Sequence, residues 1–243
     1  ILQFVMSRNE ESESELITKN TELHKINMEL DKFVYSASHD MRAPLSTMLG
    51  LLNLARKTDN PAEIAAYHQM MYERIRTMDG FINDITDYSR NARLDLNLTR
   101  VNVQSLVAEI YRSFDFLANE AQIRFKISVP ADLDIVTDKE RLTIVLNNIV
   151  SNAIKYHDEN KQDRYIEIYA NVNGNEFTIA VEDNGIGVMP EFKDRIFEMF
   201  FRASEKSVGS GLGLYIARET VQKLGGTISF TSQEGAGTAF LVS

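Results

Sequence analysis

The chain has 243 residues, 44% of them hydrophobic and 25% charged, and a net charge of −9. This composition is typical of a globular protein, and the length favours one large domain or two smaller ones. Such an acidic chain is a poor partner for nucleic acid, because binding it requires clustered lysine and arginine. The absence of cysteine excludes disulfides and thiolate metal sites. No apolar run approaches the roughly 20 residues that span a bilayer, so we expect no membrane contact by this part of the chain.

The N-terminal third predicts two long amphipathic helices. Heptad spacing indicates a coiled coil over residues 1–30, with one position occupied by Leu2, Leu16, Leu23 and Leu30 and another by Val5, Ile26 and Phe33. The apolar stripe continues to about Lys57, and the polar residues 58–60 place Pro61 at the start of a second helix. The second helix carries an apolar seam of its own: Ile64, Met71, Met78 and Ile85.

Two long helices joined by a short loop predict an antiparallel hairpin over residues 31–96. A single hairpin leaves part of its apolar stripe uncovered, so the sequence favours a homodimer in which two hairpins form a four-helix bundle. A dimerisation stalk without chemistry is an open alternative on these facts alone.

After about residue 97 the pattern changes to short helices alternating with strands, which predicts an α/β sandwich with mainly antiparallel strand pairs over residues 97–243. Helices are expected at 103–117, 139–156 and 214–224. Strands are expected at 123–129, 166–172, 177–182, 227–231 and 238–242, and Asn173, Gly174 and Asn175 indicate a hairpin turn.

His39 is the candidate catalytic residue of the first helix. At about 100° per residue, the apolar stripe lies on the opposite side of the helix, so the imidazole is expected to face water. An exposed imidazole is a nucleophile at neutral pH, and Asp40 can accept a hydrogen bond from one ring nitrogen and leave the other for attack. Pro44, one turn onward, removes a helix hydrogen bond at a cost of about 3 kcal/mol, and such strain hints at function. An ordinary surface histidine is the competing interpretation.

Four segments of the second half carry chemistry together. Residues 148–156 (Asn-Ile-Val-Ser-Asn-Ala-Ile-Lys-Tyr) place Asn148, Asn152 and Lys155 on one helix face, where an amide oxygen can ligate Mg²⁺ and a lysine can offset phosphate charge. Asp183 follows a strand and precedes Gly185 and Gly187, so its carboxylate can accept a hydrogen bond from an exocyclic amine.

The remaining two segments are an aromatic cluster and a glycine-rich turn. The cluster spans residues 195–202 and includes Phe197, and a polar stretch follows at 203–210. Gly209, Gly211 and Gly213 open a helix, where backbone N–H groups favour phosphate. Each segment alone is a weak signal, and no P-loop motif occurs.

In this order the segments resemble a known family. Residues 39–44 (His-Asp-Met-Arg-Ala-Pro) look like the H box of sensor histidine kinases, and the later segments resemble the N, G1, F and G2 boxes of the ATP-binding fold shared with gyrase, Hsp90 and MutL. Residues 235–238 (Gly-Ala-Gly-Thr) look like the final glycine motif.

The resemblance implies ATP-dependent phosphorylation of His39, with Asp40 beside it, and transfer to an aspartate on the receiver domain of a response regulator. It implies ATP and Mg²⁺ as cofactors, Asn152 as the metal ligand, Asp183 as the adenine-recognising residue and a flexible lid from 197 to 211. The positions it assigns to ATP binding are Asn148, Asn152, Lys155, Tyr156, Asp183, Gly185, Gly187, Phe197, Gly209, Gly211, Leu212, Gly213 and Thr238.

Two alternatives compete with the kinase. Hydrolytic ATPases of this fold resemble the chain but place a glutamate where Asn148 stands, and an amide cannot act as a general base. A non-catalytic scaffold with a degenerate nucleotide site is disfavoured because the glycines, Asn152, Lys155 and Asp183 are all present.

Four further expectations concern regulation and context. Kinases of this family that also dephosphorylate their regulators usually carry threonine or asparagine four residues after the histidine, and Ala43 here predicts weak phosphatase activity. The missing initiator methionine suggests a fragment that follows an upstream sensor domain, and the end at Ser243 suggests no fused receiver domain. A cytoplasmic location is expected for this part of the protein.

Overall fold

A computed structural model of the chain describes residues 2–174, 176–203 and 209–243. The chain forms two compact units, Ile1–Met78 and Asp79–Ser243. The hairpin-turn residue Asn175 and positions 204–208 of the predicted lid lie outside the described residues, as do the side chains of the predicted coiled-coil residues Leu2, Val5, Leu23 and Ile26.

The first unit consists of helix α1 (Leu2–Ala55) and the first half of helix α2 (Pro61–Arg93). Helix α1 continues through Pro44 without a break. Helix α2 begins at Pro61 as predicted, and the Asn60 side chain accepts a hydrogen bond from the Ala62 N–H at 3.0 Å, which satisfies one of the free donors of its first turn. The predicted helical hairpin is therefore confirmed.

Large apolar side chains of the hairpin remain open to solvent in the single chain. The exposed set in the first unit includes Leu16, Leu30, Leu45, Leu49, Leu52 and Ile75. Leu51 is buried. In the described part of the chain, no helix combines the length and the apolar character needed to cross a membrane.

The second unit continues from the end of α2 into a sandwich of helices and strands. Its helices are α3 (Val103–Glu120), α4 (Lys139–Lys155) and α5 (Gly213–Lys223), with a short 3₁₀ turn at Pro190–Phe192. Its strands are β1 (Thr99–Asn102), β2 (Ile123–Ser128), β3 (Asp134–Thr137), β4 (Arg164–Asn173), β5 (Glu176–Asp183), β6 (Ile228–Gln233) and β7 (Gly237–Val242).

Five strands form the main sheet in the order β2-β4-β5-β7-β6, and β1 pairs with β3 in a separate ribbon. Among the described strands, only β2 and β4 pair in parallel, so the expectation of mainly antiparallel pairs is confirmed. One apolar core joins the three helices to the sheet, and its fully enclosed residues include Val107 on α3, Leu146 on α4 and Ile168 on β4. Each such side chain contributes roughly 1.5–3 kcal/mol by leaving water.

Strands β1 and β3 were not predicted, because each has only four residues and such a short run gives too few periods to be recognised. The helices and the other strands lie within a few residues of their predicted positions.

A buried ion pair fastens the segment that follows α2. Arg141 and Asp138, whose side chains are 8% and 3% exposed, form a salt bridge inside the second unit. The Arg141 guanidinium also donates to Asn91 Oδ1 at 3.1 Å and to the carbonyls of Leu94 and Asp95 at 2.5 and 3.2 Å. Buried charges are tolerated when hydrogen bonds satisfy them, so this network fixes residues 91–97 against α4.

Candidate functional site

His39 lies on α1 with its side chain 71% exposed, as the helical phase predicted. Its Nδ1 lies 3.1 Å from Asp40 Oδ1. Within the described residues, Nε2 has no protein hydrogen-bond partner. When the Nδ1–H donates to the carboxylate, the free lone pair of the imidazole lies on Nε2. Nε2 is therefore the nitrogen that is open to a reaction partner from solvent.

Helix α4 presents polar side chains on the face that meets the glycine-rich turn. Asn148 Nδ2 donates to the Ile144 carbonyl at 2.9 Å, and its Oδ1 lies so close to Gly213 that a Cβ there would approach it to 2.6 Å. A Cβ on Gly209 would likewise lie 2.8 Å from Lys155 Nζ. Both glycines therefore leave room for contacts that any side chain would obstruct.

Lys155 extends over the same turn. The residue as a whole is exposed, yet desolvation around the ammonium group lowers its pKa, an effect that the nearby Asp84 carboxylate partly offsets. Asn152, between Asn148 and Lys155 on this face, is half-buried, and no hydrogen bond to its side chain occurs among the described residues. Its amide oxygen is therefore available to a ligand.

Asp183 ends β5 at the edge of the same site. Burial raises its pKa to about 6, although the N–H groups of Gly185 and Thr238, together with Lys161, oppose this rise. The Gly185 N–H donates to Asp183 Oδ1 at 2.8 Å. The carboxylate is thus ionised at neutral pH and retains acceptor capacity for a ligand amine.

The loop after Asp183 is packed too tightly for side chains. A Cβ on Gly185 would collide with the Tyr156 carbonyl oxygen, one on Gly187 with the Gln233 carbonyl oxygen and one on Gly237 with the Asp183 carbonyl oxygen. The predicted positions Tyr156, Asp183, Gly185, Gly187 and Thr238 are therefore brought together by backbone contacts.

Phe197 and Leu212 contribute to packing. The Phe197 ring lies 5.8 Å from Phe230 and 6.3 Å from Phe240, at the edge of the sandwich core. Leu212 is fully buried, and its N–H donates to Ser210 Oγ at 3.0 Å. A Cβ on Gly211 would approach the Phe200 carbonyl carbon to 2.7 Å. The assignment of Phe197, Gly211 and Leu212 to ATP binding stays a prediction.

Asp84 and Lys161, which the sequence did not single out, also contact residues of the site. Ser210 Oγ donates to Asp84 Oδ2 on the last turns of α2 at 2.5 Å, and burial raises the pKa of Asp84. Lys161 Nζ donates to the carbonyls of Asn184, Gly185 and Gly235. Neither role carries a local sequence signal, because both depend on contacts between residues 23 to 126 positions apart.

The candidate metal ligand of the site is an amide oxygen, that of Asn152. Among the described residues, no group of three histidine, cysteine, aspartate or glutamate side chains could hold a metal ion. Mg²⁺ is commonly bound through one or two protein oxygens together with substrate phosphates and water. The Asn152 amide fits that arrangement, and Asn152 is the metal ligand that the family resemblance implies.

Family models match both parts of the chain. Residues 29–93 match the His Kinase A (phospho-acceptor) domain, and residues 137–243 match the histidine kinase-, DNA gyrase B- and HSP90-like ATPase. The sensor histidine kinase WalK of Bacillus subtilis is 33% identical over 229 residues, which cover 90% of this chain and 37% of WalK. The chain spans between 26% and 52% of the length of the curated relatives that it matches.

Solved structures give the same result. The catalytic domain of histidine kinase ThkA is 30% identical, with a TM-score of 0.53, over 60% of this chain and 93% of that one. ThkA in complex with response regulator protein TrrA covers 87% of this chain and 60% of that one at a TM-score of 0.70, with 23% identity. Full-length ShkA in complex with AMPPNP covers 84% of this chain and 43% of that one, with 26% identity and a TM-score of 0.62. The chain belongs to the sensor histidine kinases and comprises their phospho-acceptor and ATPase-like regions.

Proposed function

We propose that the chain transfers the γ-phosphate of ATP to His39 and passes it to an aspartate on a response regulator. The observation that carries the proposal is His39 itself: an exposed imidazole whose Nδ1 is engaged by Asp40, inside the region that matches a phospho-acceptor domain. The Nε2 lone pair attacks the γ-phosphorus, the bond to the bridging oxygen breaks, and ADP leaves. Asp40 stabilises the positive charge that develops on the ring.

The second unit binds the nucleotide. Asp183 accepts a hydrogen bond from the exocyclic amine of adenine, and Lys155 with the turn at 209–213 takes the phosphates. The remaining assigned residues shape the walls of this site. Asn152 holds Mg²⁺, which when bound neutralises phosphate charge in the transition state. Positioning and electrostatics supply most of the catalysis in such transfers.

Asn148 favours transfer over hydrolysis. Its Nδ2 donates to a helix carbonyl and its Oδ1 lies against Gly213. An amide is too weakly basic to remove a proton from water. We therefore expect slow ATP hydrolysis in the absence of an accessible His39.

The exposed apolar residues of the hairpin support a homodimer built as a four-helix bundle. The ThkA–TrrA complex supports a response-regulator receiver domain as the second partner. We also propose the domain limits 1–30, 31–96 and 97–243, an upstream sensor domain in the full-length protein and a cytoplasmic location for these regions.

Radiolabel from γ-³²P-ATP tests the transfer. The full chain should acquire label that is lost in acid and kept in base, as expected for phosphohistidine, and His39→Ala should acquire none. Hydrolysis without label would instead favour the ATPase alternative, and neither activity would favour a scaffold.

Weak phosphatase activity is a separate proposal that depends on Ala43. The methyl group of Ala43 cannot orient water, so phosphorylated regulator should decay with little acceleration when the chain is added. Ala43→Thr should accelerate this decay, with Thr47→Ser as the control. Rapid dephosphorylation by the unmodified chain would contradict the proposal.

A further inference from the structure

The loop between α4 and β4 is built to hold a lysine against the proposed base-recognition loop. Arg164 organises it: the Nε atom donates to the carbonyls of Asp158 at 3.1 Å and Lys161 at 2.9 Å, and Nη2 donates to the Glu159 carbonyl at 2.6 Å. Nη1 reaches the Ala121 carbonyl at 2.6 Å. A guanidinium that satisfies four carbonyls fixes the path of this loop.

The fixed loop delivers the Lys161 ammonium group to three carbonyl oxygens. Nζ lies 2.6 Å from Asn184 O, 3.3 Å from Gly185 O and 2.8 Å from Gly235 O. The first two belong to the loop after Asp183, and the third belongs to the turn between β6 and β7. An ammonium group has three donors, so all of them are used to join these two segments.

The joined segments carry the groups that would meet the base. The Gly185 N–H donates to Asp183 Oδ1 at 2.8 Å, and the Gly235 N–H donates to Ile186 O at 2.8 Å. Fixing the Gly185 and Gly235 carbonyls therefore fixes the backbone on which the Asp183 carboxylate depends. Lys161 donates to backbone carbonyls and not to the Asp183 carboxylate, so it acts on recognition through the loop.

We propose that Lys161 is a positioning residue for adenine recognition, which orients the Asp183 loop and maintains its electrostatic environment. The inference rests on the proposed function, because it assumes that Asp183 receives the base. Charge-assisted hydrogen bonds are about twice as strong as neutral ones, so an uncharged side chain of the same length should not hold the loop as firmly.

A second consequence separates positioning from simple structural support. Among the described residues, the charged and titratable groups that interact electrostatically with Asp183 are Lys161, Glu182 and Tyr165. The positive charge of Lys161 lowers the pKa of Asp183, which burial and Glu182 raise. Removing that charge should raise the pKa further, so a larger fraction of Asp183 would be protonated and unable to accept the base amine at mildly acidic pH.

The test measures binding of Mg·ATP by isothermal titration calorimetry to the full chain between pH 5.5 and 8.5. Lys161→Met should raise the Kd for Mg·ATP about 10-fold at pH 7.5, the loss expected for hydrogen bonds to a charged group. It should also shift the acidic limb of the binding profile, where affinity falls with falling pH, to higher pH. Lys161→Arg should restore most of the affinity and the pH limb. Lys139→Met, which removes a surface lysine paired with Glu109, is the matched control and should leave both unchanged.

The possible outcomes are distinguishable. If the unmodified chain binds ATP and Lys161→Met binds it equally well, the inference is wrong while the proposed function stands. A higher Kd with an unmoved pH limb overturns the positioning role in favour of structural support alone. If the unmodified chain fails to bind ATP, the proposed function and the inference both fail. Lys161→Gln, which keeps two donors without the charge, gives the same readout should Lys161→Met not fold.

Discussion

The hairpin and the sandwich bury their apolar side chains in different ways. In the sandwich, residues from three helices and the main sheet meet in one core, and side chains such as Val145 and Ile168 are completely enclosed. In the hairpin, Leu45 and Leu49 remain 46% and 63% exposed within the single chain. The sandwich therefore encloses its core within one chain, whereas the hairpin leaves its apolar stripe open, and we propose that a second copy covers it.

The difference extends to chemistry. The sandwich holds its candidate residues in dense networks in which burial changes their pKa values, as it does for Asp183. His39 is exposed, and among the described residues its side chain forms a hydrogen bond only with Asp40. A nucleotide site needs fixed geometry, and an acceptor that must serve two reaction partners needs access.

The largest effect is expected at the buried ion pair of the sandwich. Arg141→Ala should lower the free energy of unfolding by about 3–5 kcal/mol, because it leaves Asp138 charged and buried without its partner. Urea denaturation followed by circular dichroism measures the loss. Arg100→Ala, which breaks the exposed pair with Asp134, is the control and should cost no more than about 1 kcal/mol. Equal losses in the two variants would contradict the claim that the buried Arg141 network stabilises the fold more than an exposed ion pair.

The same pair predicts a direction with pH. Burial raises the pKa of Asp138, but the N–H groups of Asn97 and Arg141 and the Arg141 guanidinium outweigh this and hold it below its usual value. A depressed carboxyl pKa stabilises the fold above the unfolded-state pKa, and that contribution is lost as the pH falls through the folded-state value. Stability should therefore fall at strongly acidic pH, and the fall should be smaller in Arg141→Ala.

The next largest effect concerns the hairpin. Leu45→Glu would place a charge in the proposed bundle core, so the dimer dissociation constant should rise by at least about 100-fold, or roughly 3 kcal/mol. Sedimentation velocity over a concentration series reads this out. Ser46→Glu, on the neighbouring exposed position of α1, should leave the dimer intact. An unaffected dimer in Leu45→Glu would show that the stripe is not the interface.

The Asp183 carboxylate is expected to matter next. Asp183→Asn should weaken ATP binding about 10- to 100-fold, the range for losing a hydrogen bond to a charged group. Asp163→Asn, at an exposed carboxylate, is the control in the same titration. Undiminished binding by Asp183→Asn would place the base elsewhere.

The same substitution should increase stability. The pKa of Asp183 is raised to about 6, so the folded state favours the protonated form, and that stabilisation is lost as the pH rises through the folded-state value. At pH 7.5 the ionised group costs up to about 3 kcal/mol, so Asp183→Asn should melt at a higher temperature there. The gain should vanish near pH 4. A gain of equal size at both values would assign it to something other than ionisation.

The smallest effect is expected at Asp84, whose carboxylate meets Ser210 beside the glycine turn. Its negative charge opposes phosphates there, so Asp84→Asn should tighten ATP binding about threefold at low salt and less at high salt. Asp79→Asn, an exposed carboxylate on the same helix, should change nothing. Weaker binding in Asp84→Asn would mean that the carboxylate supports the site.

Much of this organisation was predictable from the sequence. The helical phase placed His39 outward, Pro61 marked the start of α2, and the spacing of Asn148, Asn152 and Lys155 placed them on one face. The short strands β1 and β3 were missed because four residues carry too little periodicity. Lys161, Asp84 and the Arg141 network were missed because their partners are distant in the chain and each side chain alone resembles an ordinary surface charge.

We propose that the sandwich binds the nucleotide and that the hairpin histidine receives its phosphate. The most direct measurement is ATP affinity and ³²P incorporation on the same preparations of the full chain and its His39→Ala variant. In His39→Ala, the Kd for ATP should change by less than about twofold, because His39 contributes nothing to the affinity for bound ATP. The acid-labile label should disappear. Label retained by His39→Ala at the level of the unmodified chain would contradict it.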